Sequence, residues 1–349
     1  MASTLPGSHH SALIIAEKGA PHSLVSRVTP QPGPGQILIE VKAIALNPVD
    51  AFQRDHSALI ATYPTVLGSD VAGIVAGVGP DILSSTFKLG SRVAAYASSY
   101  FHGSHADYGS FQQFTLVAAE KVTPLPDSLS FCEASILPMS VSVAMSAWWT
   151  IDMPRDTKYA PQDKRAMLVW GASTSVGSAA VQTAKSMGFH VYATCSPRHH
   201  EYIRGLGADR VFDYQSPNVV SAIVDSIKED KLSLYQCFLG RGDLETITTI
   251  LEQVRGDNVA RIASAPIVPP DARQVDGVVV TFVQTPADPV EARGYFRWVF
   301  NEWLKEKLAT GEYVPSPHLK IVGKGLEDVD RALDKLNQGV SGSKLVVEL

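Results

Sequence analysis

The sequence predicts an α/β protein, a doubly wound parallel sheet preceded by an irregular, glycine-rich β barrel. Three observations carry that prediction. The 349 residues, 45% of them hydrophobic, are enough for two cores at about 150 residues per domain. The first 130 residues fall into short β segments divided by Pro and Gly, whereas beyond Ile151 short apolar strands alternate with helical runs. An apolar strand at 167–170 also runs into Gly171 and then into a Ser/Thr-rich helix start.

In the first part, strands are expected at residues 12–15, 36–45, 71–78, 92–96 and 111–117. Pro30, Pro32, Gly33, Pro34 and Gly35, then Gly77, Gly79, Pro80 and Gly90, supply the turns between them. The uncharged run 134–151 is barely long enough to span a bilayer, and Pro138, Ser140, Ser142 and Ser146 interrupt it, so a buried helix is expected. Residues 152–165, with Pro154, Pro161 and several charges, read as an exposed connection. The parallel sheet then takes strands at 167–170, 190–195, 211–212, 234–239, 259–263 and 278–282. Its helices start at Val176, Arg198 and Val219, with another over 244–254. A helix over 292–309, a strand at 319–322, a helix at 326–336 and a strand at 344–349 close the chain. The expected domains are 1–135, 136–310 and a return segment 311–349 that completes the first.

Composition narrows the function. Only 19% of residues are charged, and Gly and Pro lack a period, which excludes collagen-like, coiled-coil and largely disordered chains. A net charge of −5 without a Lys/Arg cluster excludes nucleic acid and an anionic membrane as partners. Cys132, Cys195 and Cys237 are odd in number and far apart, which fits neither a disulfide framework nor a zinc knuckle and points to a reducing, cytoplasmic setting. The first ten residues lack the basic and apolar blocks of a signal peptide and read as a frayed start.

Gly171 stands where a tight turn needs a residue without Cβ, and the helix after it offers free amides to a pyrophosphate. Ser173 occupies the place of the usual second glycine, and Ser173, Thr174 and Ser175 bring hydroxyls beside Val176. A Ser/Thr-capped helix with no ligand is the plainer alternative. The next strand ends in Ser196-Pro197-Arg198, where an NAD site would carry an acidic residue for the ribose 2′-hydroxyl. A hydroxyl and a guanidinium suit a 2′-phosphate, so NADPH is the expected cofactor. One such contact, worth roughly 1.5–3 kcal/mol, gives about a 10- to 150-fold preference over NADH. A solvated Arg198 in a helix's first turn is the competing reading.

Over essentially its whole length the chain resembles the medium-chain dehydrogenase/reductase superfamily, in its quinone oxidoreductase and enoyl reductase branch. The resemblance lies in Asn47-Pro-Val-Asp50, the segment from Gly68-Ser-Asp-Val-Ala-Gly73 to Gly77-Val-Gly79, and Gly90-Ser-Arg-Val93. It continues in Gly109-Ser-Phe-Gln-Gln-Phe114, the Gly171 turn and Ser341-Gly-Ser-Lys-Leu-Val-Val347. Cys195-Ser-Pro197 and Phe212-Asp-Tyr214 are especially similar to the fungal ToxD-like and trans-acting enoyl reductases of polyketide pathways. The resemblance implies a GroES-like barrel with a Rossmann domain. It also implies that Ser173 to Val176 hold the pyrophosphate, that Ser196, Arg198 and Tyr214 surround the 2′-phosphate, and that Asn47, Asp50, Val340 and Ser341 approach the nicotinamide. Ser135, Leu137, Met139, Ser140, Phe282 and Val283 resemble the lining of an acyl or quinone pocket, though core packing explains them equally well.

Departures from the family pattern are informative. Zinc-dependent relatives carry a Cys, a Gly-His-Glu segment and a four-cysteine lobe. Here Asn47 lies in the region of the first ligand, Gly68-Ser69-Asp70 replaces the second motif, and the lobe is missing, so no metal is expected. His102, His105 and Asp107 have ligand-like spacing but read as a polar loop. Without a Lewis acid the substrate should be electron-poor, a small apolar molecule with a C=C bond conjugated to a carbonyl. Quinone reductases often carry a tyrosine where this chain has Phe52, which leaves Tyr63, Tyr100 and Tyr108 as weak candidates for a proton donor. Gln236 replaces a usual aspartate, and the three cysteines read as buried filler. Quinone reduction and a low-turnover, NADPH-binding accessory role in a polyketide pathway stay open beside enoyl reduction. An acyl carrier protein is a partner of the trans-acting reading, with Lys320 to Lys324 as a basic surface for it, and both monomer and homodimer fit the branch.

Overall fold

The computed structural model describes residues 8–83 and 86–349; the expected frayed start falls mostly on residues 1–7, outside the described residues. The chain divides into two compact units, residues 1–139 with 290–349 and residues 140–289.

The first unit opens with a hairpin of β1 (His9–Ile15) and β2 (His22–Val28). It continues through β3 (Gln36–Ala45), α1 (Pro48–His56), β4 (Asp70–Val78), β5 (Arg92–Tyr96), β6 (Phe114–Ala118), β7 (Val122–Pro124) and α2 (Phe131–Ser135). Strand β3 is the centre of its sheet, pairing antiparallel with both β4 and β6. Ile37, Ile39, Val41, Val71, Val75 and Val93 from these strands pack into one buried cluster. Helix α1 starts at Pro48, whose fixed φ suits a first helical position, and Asp50 accepts a hydrogen bond from the Asn47 amide that precedes the helix.

The second unit takes up most of α3 (Pro138–Thr150), then β8 (Arg165–Trp170), α4 (Ser175–Ser186), β9 (His190–Thr194), α5 (His200–Gly205) and β10 (Arg210–Phe212). It continues with α6 (Val219–Asp230), β11 (Ser233–Leu239), α7 (Leu244–Val254), β12 (Ala260–Ser264) and β13 (Val278–Phe282). All six strands are parallel, in the order β10-β9-β8-β11-β12-β13, the doubly wound arrangement in which the sheet reverses between β8 and β11. Ala166, Leu168, Leu234, Cys237 and Ile262 are fully buried, and Ile223, Ile227, Ile247 and Leu251 of α6 and α7 cover them. The apolar stretch 131–150 is long and apolar enough to cross a membrane, yet most of it is buried within the protein.

The chain returns to the first unit through α8 (Pro289–Arg297), a π-helical stretch (Trp298–Leu304), α9 (Lys305–Thr310), β14 (His318–Lys324), α10 (Val329–Asn337) and β15 (Ser343–Glu348). The expected boundary near residue 310 therefore moves to 289/290. Side chains explain the move. Asn301 Nδ2 donates to the carbonyls of Ala119 and Val122, and Thr123 Oγ1 donates to the Phe300 carbonyl, so this helical run belongs to the barrel. Strand β15 pairs antiparallel with β3 and parallel with the edge strand β14, which presents Lys320, Ile321 and Lys324 to solvent.

Candidate functional site

In the parallel-sheet unit, β8 ends at Trp170 and the chain turns through Gly171 at φ +78. A Cβ there would lie 2.6 Å from the Arg241 carbonyl oxygen, so both conformation and space require glycine. Thr174 caps α4, accepting from the Gly177 amide at 3.0 Å and donating to the Gly171 carbonyl at 2.8 Å. Its hydroxyl is thus committed to the turn, which corrects the expectation that it is available to phosphate. Ser173 and Ser175 have no such bond among the described residues, and Ser175 and Val176 lie in the first turn, where a helix offers its amides no carbonyl. The turn lies at the point where strand order reverses, beside Gly240 to Gly242 following β11.

Strands β9 and β10 pair in register up to Thr194 and Phe212. Ser196, Arg198 and Tyr214 follow within four residues of these ends, which brings all three to one edge of the sheet. Arg198 is exposed, and its Nε donates to His199 Nε2 at 3.2 Å; among the described residues no carboxylate pairs with it. Ser196 is half-buried and Tyr214 exposed. An exposed guanidinium with a neighbouring hydroxyl and ring fits a phosphate monoester. Gln236 lies elsewhere: its Oε1 accepts from Arg165 at 2.7 Å at a bulge between β11 and β8, and Arg165 is sandwiched by Tyr159 and Tyr235.

The first unit holds a sealed polar cluster. Asp70 is fully buried and takes three hydrogen bonds, from Lys344 Nζ at 2.9 Å, Asn47 Nδ2 at 3.0 Å and the Met139 amide at 2.7 Å. Lys344, itself 3% exposed, also donates to Asn47 Oδ1 at 2.5 Å. Asp50 is fully buried beside this pair, accepting from the Asn47 amide at 2.7 Å and the Ser69 hydroxyl at 3.3 Å. Burial, with the charge of Asp70, pushes Asp50 up to about 7 against the pull of its hydrogen bonds and Lys344. Asn47 and Asp50, expected at the nicotinamide, are engaged inside the barrel with Ser69, Asp70 and Lys344. Val340 is half-buried and Ser341 exposed in the turn between α10 and β15.

The other expected residues scatter. Tyr63 packs its ring on the barrel core and buries its hydroxyl without a partner among the described residues; Tyr100 is exposed; Tyr108 accepts from Gln36 Nε2 at 2.8 Å and stacks on His102. Asp107 pairs with Arg27, and among the described residues no group of three His, Cys, Asp or Glu is placed to hold a metal ion. Ser135, Leu137 and Ser140 are buried to 1% or less, so packing accounts for them; Met139 and Val283 stay half-buried and Phe282 exposed. The cysteines are buried and free, and burial pushes the Cys195 thiol up to about 11 and the other two upward as well.

Three groups escaped the sequence reading. Tyr96 faces Asp70 across the β4–β5 ladder, and burial together with Asp70 and Asp50 raises its phenol. Lys121 lies under the rings of Phe101, Phe296 and Tyr96 at 4.0, 4.9 and 5.5 Å, and burial lowers it to about 8. Arg241 is exposed with its backbone against Gly171, and the Gly-Arg-Gly setting was its only signal.

The family model of the alcohol dehydrogenase GroES-like domain matches residues 33–127. The chain is 46% identical over 343 residues to the trans-enoyl reductase tndF of Aspergillus flavipes, covering 97% of this chain and 99% of that one. It is 46% identical over 279 residues to the trans-enoyl reductase tazE of Aspergillus terreus, covering 79% and 92%. Among solved structures, an alcohol dehydrogenase superfamily protein from Novosphingobium aromaticivorans matches with a TM-score of 0.79 at 23% identity, over 97% of this chain and 99% of that one, a likeness of fold.

Proposed function

Because the chain belongs to the medium-chain dehydrogenase/reductase superfamily, in its quinone oxidoreductase and enoyl reductase branch, we propose that it reduces a conjugated carbon–carbon double bond with NADPH, without zinc, in fungal secondary metabolism. Membership implies a nicotinamide dinucleotide, which supplies the hydride when bound. The preference for the phosphorylated form rests on one observation, the exposed Arg198, paired with no carboxylate among the described residues, beside Ser196 at the end of β9. In this reading the first-turn amides of α4 with Ser173 and Ser175 take the pyrophosphate, and Arg198 takes the 2′-phosphate, with Tyr214 alongside.

Donor chemistry supports the zinc-free reading. Asn47 and Asp70 already accept from the Lys344 ammonium, and a carboxamide beside a paired carboxylate is a poor match to the sulfur and imidazole ligands that zinc prefers. The substrate we assign is an α,β-unsaturated carbonyl, as an acyl thioester, consistent with the trans-enoyl reductase names of the two relatives; an acyl carrier protein is then the partner that presents it. Phe52, half-exposed and without a proton to give, favours the accessory reading at that one position.

The test is a pair of binding titrations with NADPH and NADH. NADPH should bind roughly 10- to 150-fold more tightly, and Arg198→Ala should close most of that gap. Equal affinities in the wild-type protein would refute the assignment.

A further inference from the structure

The end of β9 holds more proton chemistry than Arg198 alone. Pro197 opens a short turn in which Arg198 and His199 stand side by side, and Nε of Arg198 donates to Nε2 of His199 at 3.2 Å. A guanidinium has no lone pair to give, so Nε2 accepts through its own and the neutral imidazole keeps its proton on Nδ1. One Arg198 N–H is thereby spent within the protein. A second proton on the ring has to go to Nε2, because Nδ1 already holds one. It turns the contact into two N–H donors and two positive charges facing each other, a conflict that an anion between them relieves. Arg198 is exposed and His199 half-buried, so neither side chain is locked in the core.

Imidazole is the side chain that changes charge between pH 5 and 8, and this turn carries two. Nε2 of the other, His200, lies 3.3 Å from the Cys195 carbonyl, which can only accept, so that nitrogen bears a hydrogen in either charge state. Burial keeps Cys195 and Tyr202 neutral, at about 11 and about 12. On the elements packed here, α5 adds the exposed Glu201 and Arg204, β10 adds Arg210 paired with Asp230, and Asp213 and Tyr214 follow β10. Neither Glu201 nor Asp213 forms an ion pair with Arg198 among the described residues.

We propose that His199 takes up a proton together with the cofactor's 2′-phosphate, which makes the preference for the phosphorylated nucleotide depend on pH. This rests on the NADPH reading above. The protonated ring and Arg198 both donate to the phosphate, beside Ser196, whose side chain is not used as a cap. NADH presents a hydroxyl there and draws no proton. A dianion beside the ring favours its charged form, so NADPH affinity rises as pH falls through the imidazole range. A phosphate monoester takes up its own proton near pH 6, with the opposite sign. The comparison is therefore with His199→Asn, which keeps an oxygen to accept from Arg198 and gains no charge.

Two measurements on the full chain test this. In titrations with NADPH and NADH, the wild-type affinity ratio should rise about fivefold or more from pH 8 to pH 6. It should stay level or fall in His199→Asn and still rise in His200→Gln. Calorimetry at pH 7.5, in buffers of different ionisation enthalpy, should show proton uptake with NADPH and none with NADH, and the uptake should be lost in His199→Asn. The proposal is overturned if His199→Asn keeps the wild-type pH dependence and uptake, or if His200→Gln abolishes them. A wild-type preference for NADPH that does not rise on acidification refutes the proton linkage alone. Equal affinities for the two nucleotides at both pH values refute the NADPH reading and the linkage with it.

Discussion

Replacing Lys344 by Met removes the cation that, among the described residues, contacts Asp70, while keeping much of the side chain's volume. The two charges lie 2.9 Å apart, worth about 6 kcal/mol of attraction at an effective dielectric near 20 before desolvation is counted. Removing one partner of a buried pair leaves the other charge stranded, a loss of about 3–5 kcal/mol. The sign with pH follows from Asp50, whose value in the fold, about 7, lies above the ordinary 3.8. A carboxyl raised by folding binds more protons in the folded state, so its contribution is retained at low pH and lost as pH rises through the folded value. Lys344 opposes this rise, and its removal drives Asp50 higher, so the variant's deficit should be larger at pH 8 than at pH 5.5. Thermal unfolding of the cofactor-free protein at both pH values is the assay. At about 2–4 °C per kcal/mol the melting temperature should fall by about 6–20 °C at pH 8, and by less at pH 5.5. Adding Asp70→Leu should restore most of the loss. An equal fall at both pH values, or no recovery in the double variant, would refute the reasoning.

Other predictions address the cofactor turn. Gly171→Ala places a Cβ 2.6 Å from the Arg241 carbonyl at a positive φ and should cost about 1–3 kcal/mol of stability and weaken nucleotide binding, both measurable by titration and melting. Thr174→Ala removes the α4 cap and should destabilise by about 1 kcal/mol in denaturant unfolding. Arg241→Ala should weaken NADPH and NADH equally, in contrast to Arg198→Ala; a change in the ratio would assign Arg241 to the 2′-phosphate instead.

Strands β3, β5 and β13 and helix α7 were legible to the residue, because apolar or β-branched runs end at turn or capping residues there. Strand β2 was not: its side chains are mostly exposed and polar, and among the described residues it pairs with β1 alone. Helix α1 is short and polar, fixed by Asp50 and by packing on α10, so it carries little periodicity. Strand β6 begins at Phe114 rather than Phe111 because residues 111–113 spend their backbone groups on Leu13, Leu67, Ser11 and Val41 outside the ladder. The strand–Gly171–helix turn was legible because it is local, β8 running directly through Gly171 into α4. The Asn47–Asp70–Lys344 cluster was not, since its members are separated by up to 297 positions and only the folded barrel brings them together. The same distance hid Tyr96, which reads as an ordinary strand residue until β5 sets it opposite Asp70.

The most direct measurement is the loss of NADPH absorbance by purified protein given an α,β-unsaturated thioester. Saturable consumption with formation of the saturated acyl product, faster with NADPH than with NADH, is the predicted result. Tight nucleotide binding with no consumption across thioesters, enones and quinones would contradict it.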